Sequence, residues 1–443
     1  MPSNLFKTNF INALFILIPI SNIIGNLALN ANVVLLIISV IIFYGFSVFK
    51  FKFLIIDKLI IFFFIYILTI GFFNNIYGYY FEKNIDDFKI IIKSLAYLRY
   101  LFLYLIIRFL INENIINFKI FFISVTVIIS LLCLDLIFQF YFGVDFLGNK
   151  AIHPRRMSGP FGDELIAGAF LQRFAIFSIF LIPVFYKGFL IKNFNLIFAV
   201  LFSLLIFSFI IAGNRIPFIL FLLTIFTILI LEKQARKYIL PFLFLVTSIF
   251  LISFNQSKSI NYHYGNLIYK AEQFMQFSQS EISIKDVEKI KNYQQEYVVN
   301  IGDKKFQLTN TYMKEFNTGY KTWLVNKYFG GGIKSFGINC SKAGLKNCGP
   351  HPHNYYLEIL AILGLVGLLM VLIIFSLIFY GNFIKRYFFK SNLSNNYLIT
   401  PFVFVFLAEI FPIKTTGSFF STTSATYLFL IMAVVVGLSN KKI

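Results

Sequence analysis

Charge is scarce in this chain. Of its 443 residues only 13% are Asp, Glu, Lys or Arg, against 58% apolar and 20% aromatic, and the mean hydropathy is +0.79. That balance excludes an ordinary soluble globular domain, in which about a quarter of the residues are charged, and points to a polytopic membrane protein. Acidic residues are scarcer still, 19 against 39 basic, leaving a net charge of +20. In a soluble chain that excess would suggest nucleic acid. Here Lys and Arg punctuate apolar runs, as a positive-inside topology produces, and no nucleic-acid partner is expected. The first apolar run lacks a small-residue cleavage signal and another run follows it, so it reads as a retained helix and not as a removed signal peptide. Similarity between the two halves, which the repeats of many secondary transporters would leave, is also missing. A lipid or polysaccharide transporter stays as the alternative from another functional class.

Apolar runs long enough to cross roughly 30 Å of hydrocarbon lie near 9–28, 31–49, 59–77, 91–111, 119–141, 164–186, 193–212, 216–231, 239–254, 355–379, 397–412 and 425–438. The expected fold is all-α, with about twelve transmembrane helices. Helices one to nine fill 1–254 and helices ten to twelve fill 353–443. Lys50, Lys52, Lys58, Arg108, Lys119, Lys187, Lys192, the "EKQARK" run at 232–237, Lys385, Arg386, Lys390, Lys441 and Lys442 mark alternate connections. Those connections and both termini are therefore expected on the cytoplasmic side. On the outer side falls one polar loop, 255–352, which holds the lone Trp323, a glycine triplet at 330–332 and helix-like stretches near 281–297 and 309–328. A loop of that length is functional or disordered, and the two stretches favour a folded lid. Cys340 and Cys348 lie in it with seven residues between them. They would pair in an oxidising compartment and stay free thiols otherwise.

Outer-face cations run against the topology rule, so each asks for a reason. Arg155 and Arg156 lie in "HPRRMSGPFGDE", and Arg215 in the tight turn "AGNRIP". Guanidinium binds phosphate oxygens with two parallel donors, which makes Arg156 and Arg215 candidates for an anion site. The bland readings are contact with anionic lipid or the interface for Arg156, and a helix cap or snorkelling for Arg215. Asp135, Arg173 and Glu409 fall inside apolar runs, where ionisable groups are unfavourable unless paired. Asp135 and Arg173 lie on consecutive runs, so they are expected to form a structural ion pair.

The stretch "CGPHPHNYYLEILAILGLVGLL", 348–369, places two of four histidines ahead of an apolar run. Pro352 blocks backward extension of the helix and Asn354 is a favourable N-cap. His353 then stands before the first turn, at the water interface, where a neutral imidazole can take a proton from a hydroxyl. Glu358 follows Asn354 by one helical turn and could orient a neighbour. Gly364 and Gly367 give a small-residue stripe for close helix packing. An interfacial polar residue or cap is the plain alternative for His353.

His353-Asn354, nine residues, Gly364, two residues and Gly367 resembles the signature of the bacterial O-antigen ligase and O-antigen polymerase superfamily, which follows a large periplasmic loop. "RMSGPFGDELIAGAF", "AGNRIPFIL" and "GYKTWLVNKYFGGGIKSF" are similar to other blocks of that family and occur in its order. Two features depart from it. The segment 255–352 contains no Arg, leaving Lys321 as the cation nearest Trp323, and Leu368-Leu369 replaces the usual Thr-Gly.

The resemblance implies metal-independent, inverting transfer of a glycan from an undecaprenyl-diphosphate donor to an acceptor sugar at the periplasmic face of the inner membrane. No cofactor is expected, and the chain has no Asp-x-Asp to hold a divalent cation. In that scheme His353 is the general base, with His351 as rival. Arg215, Arg156 and Lys321 hold the diphosphate, and Asn354 and Glu358 orient the site. The acceptor is the lipid A core for a ligase, a second lipid-linked glycan for a polymerase, or a protein for an O-oligosaccharyltransferase.

Overall fold

The computed structural model describes residues 4–76, 79–80, 85–153, 156–186, 194–257, 260–261, 298–301, 304–307, 311–345, 348–389, 397–412, 414 and 417–439. The chain opens with α1 (Asn4–Ile16) and α2 (Ile18–Ile24), a bent pair meeting at 41°. Pro19 sits in the first turn of α2, where its missing N–H leaves no unmet bond. Then come α3 (Asn26–Tyr44), α4 (Ile55–Phe73), α5 (Ile85–Asn112), α6 (Phe118–Phe142), α7 (Ala167–Phe185), α8 (Phe194–Ala212), α9 (Arg215–Leu231) and α10 (Lys233–Gln256).

A two-stranded antiparallel hairpin, β1 (Val298–Ile301) with β2 (Lys304–Gln307), follows. It is the one departure from an all-α fold among the described residues. Next are α11 (Thr311–Trp323) and α12 (Phe336–Lys342), then α13 (Tyr355–Phe379), α14 (Thr400–Glu409) and α15 (Thr422–Ser439). The first apolar run of the sequence is divided between α1, α2 and the start of α3, and each later run falls on a helix, because a chain without water must close its hydrogen bonds within the segment. Among the described residues seven helical stretches are long and apolar enough to cross a membrane, or eight if the bent pair is one span. The helix-like stretch expected near 281–297 lies outside the described residues, as does Arg155.

Aromatic rings knit α4, α5 and α15: Phe429 packs against Phe64 at 5.0 Å and stacks on Tyr100 at 6.3 Å. Buried ion pairs lie within the bundle. Arg108 Nε lies 3.0 Å from Asp57 Oδ1, which also accepts the Tyr104 hydroxyl at 2.6 Å. The Arg386 guanidinium lies 3.6 Å from Glu232.

The ion pair expected between Asp135 and Arg173 does not form. Asp135 instead accepts the Phe146 N–H at 2.6 Å and so holds the loop after α6. Arg173 reaches from α7 to Glu409 at the end of α14, at 2.8 Å. Consecutive helices are neighbours, but their facing residues are chosen by helix rotation, which chain order does not reveal.

Candidate functional site

One end of the bundle holds a cavity of about 630 Å³, and the elements that enclose it are fastened by backbone and amide bonds. The loop from α6 to α7 is held at its centre by Gln139, whose Oε1 accepts the N–H groups of Ser158 at 3.0 Å and Gly159 at 2.8 Å. Met157 N–H donates to the Ile211 carbonyl at 3.0 Å. Asn214, the N-cap position of α9, closes the same junction. Its amide donates to the Leu165 carbonyl at 2.8 Å and its Oδ1 accepts the Gly168 N–H at 3.0 Å. Gly168 admits this contact because a Cβ there would lie 2.6 Å from Asn214. Arg156, on that loop, lines the cavity and donates to the Leu165 carbonyl at 3.4 Å.

His351 and His353 line the same cavity. Asn354 caps α13, its Oδ1 accepting from Tyr356 N at 3.0 Å and Leu357 N at 3.1 Å. The Asn354 amide also donates to the Pro412 carbonyl at 2.8 Å. The residue before this cap adopts a left-handed backbone: His353 has φ +52°, a strained value for a side chain with a Cβ. The turn is held by the His353 N–H, which donates to His351 Nδ1 at 3.2 Å, and the two rings lie 4.3 Å apart. Burial, with the His353 ring and Lys334 nearby, pushes the His351 imidazole down to about 4. Its ring nitrogen thus stays an acceptor near neutral pH, and this bond persists.

Glu358, one turn into α13, also lines the cavity. Its carboxylate accepts the Ser418 hydroxyl at 2.5 Å and the Phe419 N–H at 2.6 Å, which binds the segment before α15. Beneath it, Arg173 donates to Glu409, to the Ser424 hydroxyl at 2.9 Å and to the Tyr355 hydroxyl at 3.3 Å. Lys414 adds a second cation, 2.5 Å from Glu409.

The two glycines of the α13 motif differ. At Gly364 the helix is interrupted, with φ +68° and ψ −171°. The segment after α11 enters the gap: Leu365 N–H donates to the Lys327 carbonyl at 2.9 Å, Val366 N–H to the Tyr328 carbonyl at 3.1 Å, and Gly332 N–H to the Ile362 carbonyl at 3.0 Å. The Tyr66 hydroxyl bonds the Leu363 carbonyl at 2.8 Å and the Phe329 carbonyl at 3.0 Å. Gly364 therefore accommodates a loop and not a second helix. Gly367 faces α4, where a Cβ would lie 3.3 Å from Tyr66.

His353, His351, Arg156 and Glu358 thus share one cavity. Arg215 and Lys321 are not among its lining residues. Arg215 opens α9 beside Asn214, which is one, and Lys321 lies on α11. Three cations that the sequence does not single out line it as well: Lys93, Arg99 and Lys334. Arg99 does carry a signal, since it interrupts the apolar run "AYLRYLF" with no acidic residue one turn away. The bond between Cys340 and Cys348 closes the segment from α12 to the histidines.

No curated protein matches the chain. Residues 198–372 match the family model described as O-antigen ligase, a span from early α8 to the middle of α13. The match takes in the Arg215 turn, His353 and Gly364, which carry part of the resemblance seen in the sequence. The chain therefore carries an O-antigen ligase domain, of a membrane glycan-transfer family, within a multi-pass bundle of apolar helices.

Proposed function

We propose that the protein transfers an O-antigen-like glycan from an undecaprenyl-diphosphate carrier to a sugar of the lipid A core. The reaction takes place at the periplasmic face of the bacterial inner membrane, with both termini cytoplasmic. The observation that carries this reading is the shared cavity: an imidazole at the start of a membrane helix and a guanidinium from a separate loop face one space.

In the proposed reaction the acceptor hydroxyl loses its proton to His353 as its oxygen attacks the anomeric carbon of the donor. The new C–O bond forms on the face opposite the leaving group, giving inversion. The bond from that carbon to the diphosphate oxygen breaks, and its electron pair leaves with undecaprenyl diphosphate. Arg156 meets the charge that develops on the diphosphate. Arg215, beside the cavity-lining Asn214, is proposed to hold the diphosphate where it extends past the cavity, with Lys321 as a further contact. The left-handed turn fixed by His351 aims the base, and Asn354 and Glu358 brace the helix start behind it.

The test is His353→Ala, assayed for glycan transfer in membranes from cells lacking their own transferase. Loss of a general base should lower the rate by about a hundredfold or more. Transfer near the parental level, with the variant inserted in equal amount, would refute the assignment.

A further inference from the structure

Three arginines inside the bundle have a carboxylate partner: Arg108 with Asp57, Arg173 with Glu409, and Arg386 with Glu232. Arg99, midway along α5, does not. Its guanidinium donates to the Ala96 carbonyl at 2.7 Å and to the Tyr100 hydroxyl at 2.7 Å, and it lies 4.4 Å over the Tyr100 ring. Among the described residues no carboxylate comes within ion-pair distance of it, and its buried Nε has no hydrogen-bond partner. Of the two acids that line the cavity, Glu358 is occupied by Ser418 and Phe419, and Glu164 makes no ion pair with Arg99. This half-buried guanidinium, without a counter-ion and facing the cavity, is a ready contact for an anion.

The surroundings narrow what that anion belongs to. Lys93, six residues earlier on α5, lines the same cavity, as do Asn22, Asn26 and Thr422. Amides and hydroxyls pair with sugar hydroxyls. Two added cations call for a negative substituent. The diphosphate is already assigned Arg156, Arg215 and Lys321, and Lys334 stands near His351. Lys93 and Arg99, both on α5, are left for another anion.

We propose that this wall, formed by α5 and the start of α3, is the acceptor subsite, and that the acceptor glycan carries a phosphate or carboxylate placed against Arg99. The proposal rests on the transfer reaction above. The acceptor hydroxyl then approaches His353 with its charged substituent anchored on α5.

Arg99→Gln tests it in reconstituted vesicles, with KM measured separately for lipid-linked donor and for a phosphorylated acceptor. The expected result is a rise of at least about tenfold in acceptor KM, with donor KM and kcat within about twofold of the parent. Phosphatase treatment of the acceptor should abolish the difference between variant and parent, and Arg99→Lys should restore part of it. A rise in donor KM instead would assign Arg99 to the diphosphate and overturn the proposal, as would no change in either KM. If Arg99→Gln does not insert, Lys93→Gln reads the same split. A binding arm stands apart from catalysis: thermal shift of the detergent-purified protein with a phosphorylated oligosaccharide and with its dephosphorylated form. A shift with the first alone, lost in Arg99→Gln, supports the subsite even if no transfer is seen. Equal shifts with both forms, or no shift with either, overturn it.

Discussion

Replacing Gly364 by alanine tests whether the break in α13 is required by the fold. Gly45 offers the comparison, because it too has a left-handed backbone, φ +58°, but a Cβ there meets nothing within 4 Å. Gly45→Ala therefore measures the backbone cost alone, about 1–3 kcal/mol. At Gly364, φ +68°, the same cost applies, and the new Cβ would also lie 2.3 Å from the Tyr328 carbonyl oxygen. Backbone hemmed in on both sides must then move by about 1 Å to reach ordinary contact. That motion breaks the bonds from Leu365, Val366 and Gly332, each worth about 1 kcal/mol. The expected destabilisation is about 4–6 kcal/mol for Gly364→Ala, roughly two to four times that of Gly45→Ala. Unfolding of both purified variants in mixed micelles, titrated with dodecyl sulfate, compares them directly. Equal losses at the two sites would show that the steric argument is wrong.

Glu409→Gln should destabilise the protein by about 3 kcal/mol or more, since Arg173 and Lys414 would lose a buried counter-charge. Replacing Arg173 by Met in that background should recover part of the loss, by the same titration. Because the fold lowers the His351 proton affinity from 6.5 to about 4, the unfolded chain takes up the proton first. The stability contributed by the neutral ring is full above the unfolded value and is lost as pH falls through this window. Unfolding midpoints measured between those limits should show the fall, and His351→Asn, which still offers an acceptor, should flatten it. Reducing Cys340–Cys348, or Cys348→Ser, should cost about 2–3 kcal/mol through the short loop it closes, with a lowered thermal midpoint as the readout.

Much of this architecture is written locally. Long apolar runs announce the helices, and Pro352 followed by Asn354 announces where α13 begins. What escapes the local pattern is pairing at a distance. Arg173 is neutralised from 236 positions away, and no periodicity in α7 points to α14. The same holds for the cations of the cavity. Lys321 is the natural choice by its nearness to Trp323, yet Lys334, beyond the glycine triplet, lines the space. It does so from a left-handed backbone, φ +78°, which a lysine in a sequence does not advertise. Arg99 is legible in principle as a lone cation in an apolar run, but what it faces depends on the rotation of α5.

The join between α13 and the segment 327–332 is made of main-chain atoms. Carbonyls of Phe329, Gly330 and Gly331 are met by Tyr66, Asn74 and Asn75, while the Tyr328 and Phe329 side chains are 65% and 58% exposed. Such a splice is indifferent to which side chains it carries at those two positions but intolerant of a change in their number. Exchanging residues there should pass almost silently, whereas deleting one would slip every downstream bond by a residue and carry the histidines with it.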